Sequence, residues 1–77
     1  MTQQQKVIGF LAANDEMQHL TEIYVAAGAE TPGQEAGVRG LLNRNTDDGK
    51  HHYRRIRRGC GVYTVTAYTR RAWRHLR

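Results

Sequence analysis

The residues of this 77-residue chain with the most chemistry to offer are its cations, and they are unevenly spread. Ten of the twelve Lys and Arg lie from Arg44 onward, and seven of these (Arg54, Arg55, Arg57, Arg58, Arg70, Arg71, Arg74) fall between positions 54 and 74. Nearly all are arginine, whose planar fork pairs with phosphate and with guanine edges as an ammonium cannot. Residues 1–38 set Lys6 against Asp15, Glu16, Glu22, Glu30 and Glu35, a net of −4; residues 39–77 set eleven cations against Asp47 and Asp48, a net of +9. That imbalance gives the molecule a directed field, able to steer a polyanion onto one end. A solvated charged tail is the plainer alternative.

Other chemistry is thinly represented. His51, His52 and Cys60 are the only metal-like group, with His19 as a distant fourth. Adjacent histidines on a strand point to opposite faces, and structural zinc wants four ligands at recognisable spacing. Cys60 has no third orienting group to make it a nucleophile. Gly59-Cys60-Gly61 neither follows a parallel strand nor opens a helix, so it does not read as a nucleotide loop. No carboxylate pair stands out as an acid and base. The expectation is a non-enzyme without metal or cofactor. A single cysteine cannot close an internal disulfide and suits a reducing interior. No apolar run approaches the ~18 residues of a membrane span. The first residues do not read as a signal peptide. The expected location is cytoplasmic and nucleoid-associated.

The elements that must carry these cations follow from pattern. The length fits one domain, which at this size buries only about 60–65% of its unfolded surface. Val7, Phe10, Leu11 and Asn14 keep helical spacing and predict a first helix from Gln3 to about Asn14. Gln18 to Leu20 reads as extended. Leu20, Ile23, Tyr24 and Ala27 form an i, i+3, i+4, i+7 stripe, predicting a second helix that ends at Gly28. Thr31-Pro32-Gly33-Gln34 is a capping-box pattern with proline at the first helical position. The third helix should run to about Asn43 and bury Val38, Leu41 and Leu42. Gly33, Gly37 and Gly40 make one flat face on it, open to a partner helix or a nucleic-acid backbone, or simply tolerated. Asn45 to Lys50 reads as a polar turn. Two strands, about Tyr53–Arg57 and Val62–Thr66, are joined by Arg58-Gly59-Cys60-Gly61. Thr69 is the expected cap of a last helix, Arg70 to Leu76. Trp73 and Leu76 there suit the core, with a dimer seam as the alternative.

Helix, short extended piece, helix, capped helix and basic hairpin together resemble a winged helix-turn-helix, over about Lys6 to Thr66. The pattern is similar to the HARE-type winged helices attached to restriction endonucleases and to a bacterial RNA polymerase subunit. The segments carrying the likeness are His19-Leu20-Thr21-Glu22-Ile23 and Gly59-Cys60-Gly61-Val62-Tyr63-Thr64-Val65. The third helix departs from that family by placing glycines where large aliphatic residues stand. The fold class implied is α+β: three helices, a two-stranded wing and a short C-terminal helix.

The function this resemblance implies is binding of double-stranded DNA, by a small transcriptional regulator or DNA-associated accessory factor. The third helix would enter the major groove and the wing would track phosphates. On the third helix the implied contacts are Arg39, Asn43 and Arg44. Gln34 and Glu35 are exposed there too, but are better explained by the helix start. On the wing they are Arg54, Arg55, Arg57 and Arg58, with Lys50 leading in. Ile56 interrupts these arginines, so they must divide between the two faces of the ribbon. Arg70 and Arg74 would add contacts from the last helix. Pairing into a homodimer would double the short site one such domain reads. Two other readings stay open: a docking module for a host protein partner, and structured-RNA binding with Tyr53 and Tyr63 as stacking surfaces.

Overall fold

The computed structural model describes residues 2–47 and 56–75. It is a small α+β fold. Helices α1 (Gln3–Ala13), α2 (Leu20–Ala27), α3 (Pro32–Asn45) and α4 (Ala67–His75) combine with strands β1 (Gln18–His19), β2 (Thr46–Asp47), β3 (Ile56–Arg58) and β4 (Val62–Val65).

The helix starts are local chemistry. Thr2 and Thr31 both build complete capping boxes, the first with Gln5 and the second with Gln34. At α3 the Thr31 hydroxyl accepts from the Gln34 amide at 3.2 Å, and the Gln34 side chain accepts from the Thr31 and Glu30 amides at 3.2 and 2.7 Å. Thr31→Ala should therefore lower unfolding free energy by about 1 kcal/mol, measured by denaturant titration. The α2 end is a left-handed Gly28, at φ 72°, whose amide returns to the last turn. The ends of α1 and α3 have no glycine and use side chains instead. Asn14 Nδ2 donates to the Phe10 carbonyl and Asn45 Nδ2 to the Leu41 carbonyl, each at 2.8 Å, while the Thr46 hydroxyl donates to the Leu42 carbonyl.

Three strands, β1, β4 and β3, form an antiparallel sheet in that order, and β2 adds to the β3 edge in parallel. The register sets Ile56 opposite Val65, Arg57 opposite Thr64 and Arg58 opposite Tyr63. Ile56 and Val65 are buried and meet Val7, Ile8 and Leu11 of α1, Ile23 and Ala27 of α2, and Val38, Leu41 and Leu42 of α3 in one core. The β3–β4 turn has Gly59 bonded back to Val62 at 2.8 Å. Gly61 sits at φ 72°, as the third position of a type II turn requires.

Several boundaries differ from the sequence expectation. Helix α3 runs on to Asn45, because Asn45 and Thr46 cap its carbonyls, and Thr46–Asp47 pair as strand β2, while the rest of the expected polar turn, from Asp48 to Lys50, lies outside the described residues. The second wing strand ends at Val65, and the first is seen as Ile56–Arg58. The rest of the predicted first strand, from Tyr53 to Arg55, lies outside the described residues. The last helix starts earlier. Thr66, not Thr69, caps it, its hydroxyl accepting from the Thr69 amide at 3.2 Å, and Thr69 is buried within the first turn. Leu76 lies outside the described residues. Trp73 packs against the core, its ring so close to Gly9 that a Cβ there would lie 2.9 Å from it.

Candidate nucleic-acid interface

At 3.6 residues per turn, burial of Val38, Leu41 and Leu42 dictates which side of α3 faces out. The outer face is centred on Ala36, Gly40 and Asn43, with Gly33 and Gly37 toward one side of it. Arg39 forms one edge of that face and Arg44 stands on the other, its guanidinium reaching over Gly40. Arg39, Asn43 and Arg44 are all exposed. No helix covers the glycines among the described residues. The nearest atoms to a Cβ at Gly37 and Gly40 would be Gln3 Oε1 at 3.6 Å and an Arg44 guanidinium nitrogen at 3.2 Å. A terminal guanidinium nitrogen of Arg39 donates to the Tyr24 hydroxyl of α2 at 3.0 Å, which holds the head of this exposed side chain beside α2.

The wing meets this helix through one arginine. Arg58 donates to Asn43 Oδ1 and lies over the Tyr63 ring, 5.8 Å from its centroid. Tyr63 is its cross-strand neighbour on the core-side face of the sheet, so the side chain lies between the ribbon and α3. Arg57 alternates to the other face and is exposed. The arginines thus divide as ribbon geometry demands: one ties wing to helix, the next faces out. The Met17 side chain and Val62 crowd Gly59 beside the turn, with Met17 Cε 3.0 Å from a Cβ built there. The β1 loop therefore also backs the wing.

The structure separates the expected contacts. Arg39, Asn43, Arg44, Arg57 and Arg58 lie on α3 and the adjoining wing. Arg74 is exposed on α4, a helix that packs on α1. Arg70 is removed from the expected binding surface. Its guanidinium donates to the Ala12 carbonyl at 2.6 Å and to the Thr64 hydroxyl at 3.2 Å, with Asp15 at 3.7 Å, and its side chain is 16% exposed. Gln34 serves the helix start, as expected. Lys50, Arg54 and Arg55 lie outside the described residues, as do His51, His52 and Tyr53. Sequence reasoning missed the Arg58–Asn43 tie, since its partners are fifteen positions apart and no short spacing encodes it.

Among the described residues no cluster of His, Cys, Asp and Glu is placed to hold a metal, and no helix is long and apolar enough to cross a membrane. No family model, curated protein or solved structure matches the chain. A functional reading therefore rests on geometry and charge.

Proposed function

We propose that this protein binds double-stranded DNA through the outer face of α3 and the β3–β4 wing, acting as a small regulator or accessory factor in a winged helix-turn-helix arrangement. The observation that carries this reading is the Arg58–Asn43 tie, which joins a cationic hairpin to an exposed helix as one surface. The small residues Gly33, Ala36 and Gly37 keep the first half of the outer face of α3 low, and Arg39 and Arg44 on its two sides suit the phosphate ridges of a groove. Asn43 accepts from Arg58 through Oδ1, so what it can offer a base edge is its amide nitrogen as a donor. Arg57 supplies a phosphate contact, and Lys50, Arg54 and Arg55, close to it in sequence, are the further candidates.

Anisotropy of a labelled duplex of roughly 20 base pairs, titrated with the protein at several salt concentrations, tests this directly. About five neutralised phosphates give a log–log salt slope near −4 to −5. Absence of binding at low salt would end the DNA reading. It would favour a docking module for a host protein, for which the acidic half offers a surface: α2 exposes Glu22 and Val25, the latter 81% accessible.

A further inference from the structure

Helix α4 carries two aromatic residues and sends them in opposite directions. Trp73 turns toward α1 and lies on Gly9. Tyr68 turns outward and is 76% exposed. At 3.6 residues per turn, Arg71 and His75 fall at i+3 and i+7 from Tyr68, on the same side, and Arg74 flanks Arg71. All four side chains are exposed, Ala67 and Ala72 keep the rest of the face low, and the helix contains no carboxylate. Arg70, the remaining cation of α4, is turned inward. What α4 offers to solvent is therefore an aromatic ring among cations.

This combination differs from the α3 surface in one chemical respect. A duplex hides its base faces in the stack, so a tyrosine ring on a helix has nothing to stack on. A single strand offers those faces and places a phosphate beside each one. We infer that the outer face of α4 binds single-stranded nucleic acid, with Tyr68 as the stacking platform for one base and Arg71 and Arg74 on the neighbouring phosphates. From Tyr68 to His75 the helix rises about 10 Å. That length matches about three nucleotides at a stacked rise of about 3.4 Å. The site uses no residue of α3 or the wing and does not depend on the duplex reading.

The test uses the full chain and a labelled oligothymidine of roughly 12 nucleotides, a length within single-strand site sizes. Tyr68→Ala should weaken binding about tenfold or more, and Tyr68→Phe should restore it, because stacking needs the ring and not the hydroxyl. Arg71→Ala with Arg74→Ala should flatten the salt slope by about 1.4, the single-strand value for two phosphates. Far-ultraviolet circular dichroism checks that each variant folds. The proposal is overturned if oligothymidine does not bind, if Tyr68→Ala binds as well as the parent chain, or if heparin, which has no bases, shows the same dependence on Tyr68. A duplex titrated in parallel keeps the two readings apart. Loss of duplex binding with oligothymidine binding intact removes only the α3 and wing surface, and the converse removes only the α4 site.

Discussion

Reversing charge at Arg39 and Arg57 together should reduce duplex affinity by at least about sixty-fold at 0.1 M salt. The figure follows from counterion release: each neutralised phosphate adds a slope of about 0.9 in log affinity against log salt. Between 1 M and 0.1 M that is roughly eightfold per phosphate. Releasing two phosphates multiplies this to about sixtyfold, and the carboxylates of Arg39→Glu and Arg57→Glu add repulsion. Both side chains are exposed, and Arg39 gives up a solvent-accessible bond to the Tyr24 hydroxyl, so the fold should lose only about 1 kcal/mol. The measurement is a salt series for parent and variant. The parent slope near −4 to −5 should fall by about 2. A variant that binds less but keeps the parent slope would mean that these arginines act through something other than phosphate.

Arg39 and Arg57 reach the backbone from different elements, Arg39 from the edge of α3 and Arg57 from the solvent side of the ribbon. Arg39→Ala and Arg57→Ala should therefore each weaken all duplexes alike, and each should lower the salt slope by about 0.9.

What could be read from the chain follows the range of the interactions involved. The α3 start was legible because Thr31, Pro32 and Gln34 form a complete signal within four positions. The α2 stripe and its Gly28 end are equally local. Thr66 and Thr69 posed a choice that composition could not decide: both are threonines able to cap, and the first turn forms on Thr66. Strand β2 pairs with a partner ten positions later, in parallel, and two residues carry no alternation to detect. Trp73 was legible as core because a lone tryptophan in a small domain has few other places to go. At the site, the edges of α3 followed from helix periodicity once Val38, Leu41 and Leu42 were assigned inward. The Arg58–Asn43 tie did not, since arginine chemistry alone cannot distinguish a wing that reaches DNA from a wing that reaches back to its own protein.

Arg70 shows that ambiguity at its sharpest, and its substitution should have the largest effect on stability. The last four carbonyls of a helix lack partners within it. In α1, Asn14 supplies the partners of Phe10 and Leu11, through its side chain and its backbone amide, and Arg70 supplies that of Ala12 from 58 positions away. The same guanidinium holds Thr64 of β4, so one side chain fastens α4 to α1 and to the sheet. Asp15 adds little, being 92% exposed. Hydrogen bonds from a charged donor are each worth about 1.5–3 kcal/mol. The two bonds together come to about 3–6 kcal/mol, and with the side chain still 16% exposed Arg70→Ala should cost the lower part of that, about 3–4 kcal/mol, against a total of about 4–12 kcal/mol for a domain of this length. Denaturant titration followed by the single tryptophan, Trp73, reads this directly, since Trp73 lies on the same helix. Arg70→Lys should recover only part, because one ammonium on a flexible stem does not reproduce a fork that spans the Ala12 carbonyl and the Thr64 hydroxyl. Duplex affinity per folded molecule should stay at the parent value in both variants. A stable Arg70→Ala protein with a reduced salt slope would reverse the assignment and return Arg70 to the binding surface.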